Sequence, residues 1–216
     1  MRPFLDLVSL KEREVLQEPQ RRIQHIDFVE AGIVSLTTLT TGSTIEAATV
    51  DFHGAVGFSV ALGATVSLHR SVVLVPGRAL RISADNLGRC MDERPQIRDN
   101  VLRFIHSFMV HSAQTALCGV RHDLEPRLAR WLSLVCDALN CNALAITHDQ
   151  LSEILGSRRA SVTKTLLRLE EQGLVEKMRG VLQVRDRDLL RRKACGCYHI
   201  ISDAYQAKDT RGLVCT

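Results

Sequence analysis

The chain has 216 residues, 45% hydrophobic and 24% charged, with a net charge of +4, proportions that exclude a disordered or fibrous protein and allow one large or two ordinary domains with their own cores. No run of about 18 apolar residues occurs, and the opening MRPFLDLVSLKERE lacks the apolar centre of a signal peptide, so the expected place of work is the cytoplasm, with no membrane partner. Seven cysteines, odd in number and irregularly spaced, read as free thiols in a reducing compartment, with no disulfides expected.

The placement of charge says more than its sum. Thr147 to Lys193 holds eleven Lys/Arg and seven acids, whereas the rest of the chain holds 17 of each. The whole excess therefore lies in the C-terminal third, which points to a polyanionic partner there.

Along the chain, LKEREVLQEP reads as the first strand. From Ile26 to about Ile82 β-branched residues alternate with turn signals at Gly32, Thr41-Gly42-Ser43 and glycines 54, 57, 63 and 77. Many short strands so spaced predict a β-roll or barrel. The pattern changes near Pro95. Ile97, Val101, Phe104 and Phe108 mark one helical stripe, and Leu102, Ile105, Met109 and Ala113 mark another. A helix apolar on two sides can lie on the β-domain with one and meet a second copy of itself with the other. Asp123 is the expected N-cap of a further helix, about Leu124 to Ala138, with Pro126 tolerated in its first turn. NCNAL breaks it, so 140–145 reads as a hinge.

Thr147 followed by Gln150 has capping-box spacing and opens a short helix bearing Leu151, Ile154 and Leu155. Gly156 supplies the turn. Val162, Leu166 and Leu169 then fall on one face, leaving Arg158, Arg159, Ser161 and Lys164 at the exposed start of a second helix, with Thr163 beside them. Two helices on a glycine turn, the second basic at its start, predict a helix-turn-helix, since such a helix fits the major groove of double-stranded DNA and its Arg or Lys can donate to guanine. LVEKM, Arg179-Gly180 and VLQVR follow as two short strands around a turn. This hairpin reads as a wing whose Lys177, Arg179 and Arg185 can meet phosphate.

The stretch THDQLSEILGSRRASVTKTLLRLEEQGLVEKMRGVLQVRDRDLL resembles the C-terminal winged helix of the Crp-Fnr regulators, most specifically in RRASVT and LEEQGLV. The resemblance implies an α+β protein of four parts: a cyclic-nucleotide-binding-like β-roll over 1–92, a dimerisation helix over 93–122, a helix and hinge over 123–146, and a winged helix-turn-helix over 147–216. It also implies a homodimeric transcription regulator, with RNA polymerase a candidate partner.

That family reads DNA through an Arg, Glu and Arg set whose matching positions here are Arg159, Ala160 and Lys164. Ala160 has no carboxylate to accept from cytosine, and Lys164 is a point charge in place of a fork, so a different target sequence is expected. The family's cyclic-nucleotide binders carry Gly-Glu-Leu and a later Arg-Ser or Arg-Thr. Here Gly54-Ala55-Val56-Gly57 precedes Arg70-Ser71-Val72. Arg70 and Ser71 are candidates for a phosphate, but Ala55 cannot accept a ribose hydroxyl, so cyclic AMP is not expected as effector.

The family's N-terminal iron-sulfur cysteines are absent, Cys90 being the first cysteine. Cys195-Gly196-Cys197 has only His199 near it in sequence. It reads as a helix end packed on the wing, so neither metal nor cofactor is expected. Cys118, Cys136 and Cys141 read as buried apolar residues, and His106 and His111 do not share a helical face. With no phosphate loop, nucleophile elbow or His-Glu-x-x-His, the chain is not read as an enzyme. The alternative to a DNA reader is a signal-binding module whose helix-turn-helix contacts protein.

Overall fold

The computed structural model describes residues 2–40 and 43–206; Thr41 and Gly42 of the expected turn lie outside this set, as does Cys215. After a short turn at Arg2–Phe4 come β1 (Asp6–Leu10), β2 (Val15–Gln17), β3 (His25–Thr40), β4 (Ser43–Val50), β5 (Ala55–Val56) and β6 (Arg70–Ser83). They form one antiparallel sheet in the order β1-β6-β3-β4, with β2 also on β6 and β5 also on β3. Two expectations are corrected. The first strand is β1, not LKEREVLQEP, which holds only the last residue of β1 and then β2. The sheet also rests on two long strands, β3 of 16 and β6 of 14 residues, because register shifts near Ala31 and Ile33 let the ladder bend while it continues through Gly32 and Gly77.

α1 (Ala84–Glu93), capped by Ser83, leads into α2 (Pro95–Arg121), and α3 (Leu124–Leu139) follows a break at His122–Asp123. Asp123 holds the N-cap position, although its side chain accepts no capping hydrogen bond. Val101, Phe104, Ile105 and Phe108 of α2 join Val29, Leu36, Val50 and Phe58 in the sheet's core. The other side of α2 is bare, with Met109 63% and Val120 85% exposed and Leu102 and Leu117 also open.

Asn140, in the left-handed conformation, ends α3. β7 (Ala143–Leu144), α4 (His148–Leu155), α5 (Arg159–Glu171), β8 (Val175–Met178), β9 (Val181–Val184) and α6 (Arg187–Lys193) form the next unit. Its core of Leu151, Ile154, Leu155, Val162, Leu166, Leu169 and Leu182 takes in Leu128, Trp131 and Leu132 of α3 and Ile33 and Leu74 of the sheet. Glu46 of β4 anchors this junction, accepting from the Ser35 hydroxyl and, at 2.8 Å, from Trp131 Nε1. Burial pushes the Glu46 carboxyl up to about 7, against the lowering effect of both hydrogen bonds and of Arg130.

α7 (Cys197–Gln206) then returns to α2. Ser107 Oγ donates to the Ala204 carbonyl at 2.7 Å, and His111 meets the Tyr205 hydroxyl at 3.3 Å. The Cys195–Cys197 turn therefore lies against α2 and α3, not against the wing. No helix of the described residues is long and apolar enough to cross a membrane.

Candidate nucleic-acid interface

The turn between α4 and α5 is built by local chemistry. Thr147 Oγ1 accepts from the Gln150 N–H at 3.2 Å while Gln150 Oε1 accepts from the Thr147 N–H at 2.8 Å, closing the capping box. Gly156 sits at φ +56°, where a side chain is strained, and its missing Cβ would lie 3.0 Å from Ile45 of the sheet. Arg158, with extended backbone, is the N-cap of α5. Val162, Leu166 and Leu169 are buried on one face, which turns Arg158, Arg159, Ser161 and Lys164 to solvent.

The exposed residues are not equally free. Arg159 Nε pairs with Asp149 Oδ1 at 3.0 Å, both side chains being 67% exposed. A pair so open to water is worth little, so a better acceptor can replace Asp149. Thr163 Oγ1 lies 2.8 Å from His148 Nδ1 and so ties α5 to α4. The His148 pKa is lowered first by burial and then by Lys177 and Arg159, which favours the neutral ring. His148 and Asp149 escaped the sequence reading. Both follow a helix cap, where polar residues are ordinary, and only the fold sets them beside α5.

Beside α5 the β8–β9 hairpin turns at Arg179-Gly180, with Gly180 at φ +77°. The Lys177 N–H donates to Glu170 Oε1 at 3.0 Å, fixing the hairpin to the end of α5. The side chains of Lys177 and Arg179 are exposed, and Arg185 pairs with Glu176. One surface thus carries the start of α5, where the helix dipole is positive, and a basic hairpin.

The candidate effector residues are not brought together. A cavity of about 170 Å³ between sheet and α2 is lined by Phe28, Phe52, Gly54, Ala55, Phe58 and Phe104 among others, and Arg70 is not in its wall. Arg70 pairs instead with Glu18 at 3.2 Å, and the buried Ser71 hydroxyl has no partner among the described residues. The six described cysteines are free thiols. Cys118 and Cys136 are buried as expected, but Cys141 is exposed because it follows the left-handed turn at Asn140. His199, the expected neighbour of Cys195 and Cys197, is exposed, and Cys118 and His122 take its place.

Residues 126–193 match the Crp-like helix-turn-helix domain. Among solved structures, FixK2 from Bradyrhizobium japonicum is 14% identical, the alignment covering 89% of this chain and 98% of that one at a TM-score of 0.75. TTHB099, a CRP-family transcriptional regulator from Thermus thermophilus, is 18% identical over 87% of this chain and 96% of that one, TM-score 0.72. CLP from Xanthomonas campestris, a c-di-GMP responsive global regulator, is 13% identical over 85% and 95%, TM-score 0.70. No curated protein sequence matches. At such identities the structures carry the fold, and the matched domain carries the chemistry: the chain is a DNA-binding transcription regulator. Residues 126–193 thus carry a Crp-like helix-turn-helix domain, and the chain shares its fold with these regulators across nearly their full length.

Proposed function

We propose that the protein acts as a homodimer that reads a palindromic operator through two copies of α5 set in successive major grooves, about 34 Å apart. The observation that carries this reading is the shared basic surface of the α5 start and the β8–β9 hairpin. Arg158, Arg159, Ser161 and Lys164 read base edges, Arg159 having the fork that matches guanine. Thr163 serves first to hold His148 and contacts DNA second. Lys177 and Arg179 grip phosphate and set the register.

Dimerisation falls to the bare side of α2. Leu102, Met109 and Ala116 recur every seven residues, and His106, Ala113 and Val120 recur between them, all exposed. That is the a/d repeat of a two-stranded coiled coil. Activity does not depend on cyclic AMP, since Ala55 offers no acceptor and Arg70 is engaged by Glu18. Control by an unidentified effector, or by protein level alone, acts through the joint between α2 and α3, which sets the spacing of the two α5 helices.

A salt titration of DNA binding tests this function. For a phosphate-gripping dimer, log K falls linearly with log salt, with a slope of about −0.9 per phosphate neutralised. Weak binding with a flat salt dependence would favour a helix-turn-helix used for protein contact.

A further inference from the structure

Four side chains with metal-ligand chemistry converge where α2 ends. Cys118 and His122 stand one helical turn apart, and Cys195 and Cys197 flank Gly196 where α7 begins. Their ligand atoms all lie within 4.8 Å of one another. Cys118 Sγ is 3.2 Å from Cys195 Sγ and 3.5 Å from His122 Nδ1, and Cys197 Sγ is 3.8 Å from His122 Nδ1. The three sulfurs are buried and the imidazole is half-buried. The matched helix-turn-helix domain spans residues 126–193, so all four ligands lie outside it.

The geometry can be compared with a tetrahedron. Zinc bonds of about 2.3 Å to sulfur and about 2.0–2.1 Å to nitrogen place sulfur–nitrogen pairs about 3.6 Å apart and sulfur–sulfur pairs about 3.8 Å apart. Both measured sulfur–nitrogen distances fit within about 0.2 Å, and the Cys118–Cys195 pair needs to open by about 0.6 Å, a small side-chain rotation. A Cys118–Cys195 disulfide would need the sulfurs about 1.2 Å closer, and it would leave Cys197 and His122 with no role.

Charge agrees with a cation. Three thiolates and a dication leave one negative charge. Arg130 is 3% exposed, its Nε has no partner among the described residues, and its guanidinium acts electrostatically on all three thiols. A buried arginine is the counter-ion that such a site needs.

We propose that Cys118, His122, Cys195 and Cys197 form a closed four-ligand site for one divalent thiophilic cation, with zinc the best match in ligand type and geometry. The three thiols release their protons to solvent as the metal–sulfur bonds form, and His122 binds as neutral imidazole. The site spans the His122–Asp123 break, where the Cys195 N–H already donates to the Pro126 carbonyl at 3.3 Å. Bound metal therefore pins α7 and the α2–α3 joint together, linking residues 77 apart in sequence.

The test is cobalt(II) titration of the full-length protein, kept reduced, with zinc counted in the protein as isolated. The expected result is one metal per chain, and thiolate-to-cobalt charge-transfer absorption with the intense visible bands of tetrahedral coordination. Since loss of an outer-shell partner alone commonly costs about 10–100-fold in metal affinity, Cys197→Ser and His122→Ala should weaken cobalt binding by at least tenfold. Cys141→Ser, outside the cluster, should leave it unchanged. Cys197→His retains a ligand and should bind with a shifted spectrum, which separates lost coordination from lost folding. Absence of the charge-transfer band in the reduced parent protein, its persistence in a Cys195→Ser/Cys197→Ser double variant, or a metal-free protein with a Cys118–Cys195 disulfide would overturn the proposal.

Discussion

Arg159 stands at the start of α5, where a groove-reading side chain must be, yet in the free protein it faces Asp149. Arg159→Ala should relax discrimination at one base pair by ~1–3 kcal/mol, whereas Lys177→Ala should weaken binding to all sequences and lower the salt slope by about 1. Titrations on a selected duplex and a scrambled one separate the two, and equal loss on both would remove Arg159 from base readout. Glu46 governs stability in another way. Burial raises its carboxyl from 4.5 to about 7, so its contribution is complete below pH 4.5 and is lost as pH rises towards 7. The loss is on the order of 3 kcal/mol at about pH 8. Glu46→Gln keeps the acceptor for Trp131 without the charge, so it should outlast the parent in urea at pH 8 and lose that advantage near pH 4; a pH-independent difference would contradict this. No sequence pattern marks Glu46 as buried, since one acid in a strand reads as solvent-facing until Trp131, 85 residues away, supplies its partner.

Among the elements, α2 and α5 carry the proposed function, and the sequence reveals them unequally. The Thr147–Gln150 box, Gly156 and the Val162, Leu166, Leu169 face state α4 and α5 because a cap, a left-handed turn and a buried stripe are all local. The second stripe of α2 was also legible, except that Ile105 is buried in the sheet's core while Leu117 and Val120 extend the open face. Met109→Glu should set like charges against each other in a dimer and shift it to monomer in sedimentation at unchanged helicity; an unmoved sedimentation coefficient would place the interface elsewhere. Leu169→Ala, at a site with 0% exposure, should cost about 2–5 kcal/mol in urea unfolding. α7 went unread because its anchors on α2, Ser107 and His111, lie 97 and 94 residues from Ala204 and Tyr205. Spacing rules reach one or two helical turns, and so they find neither α7 nor the four-ligand cluster.

Across the molecule, the sheet and the helix-turn-helix share a core through Ile33, Leu74 and Trp131, while Ile45 rests on Gly156. The proposed DNA-reading surface is therefore positioned by the sheet as well as by α3. Composition puts the basic excess in the last third of the chain, and the structure collects part of it on one face while engaging Arg168, Arg185 and Arg191 in pairs with Glu125, Glu176 and Asp137. Reading of a palindrome by paired α5 helices is open to a single decisive experiment: selection of bound duplexes from a random-sequence pool by the purified protein without ligand, followed by sequencing. The expected product is a palindrome whose half-sites lie about 10–10.5 base pairs apart, centre to centre. Recovery of a single unrepeated half-site, or of no enriched sequence either alone or with cell extract added as a source of effector, would contradict it.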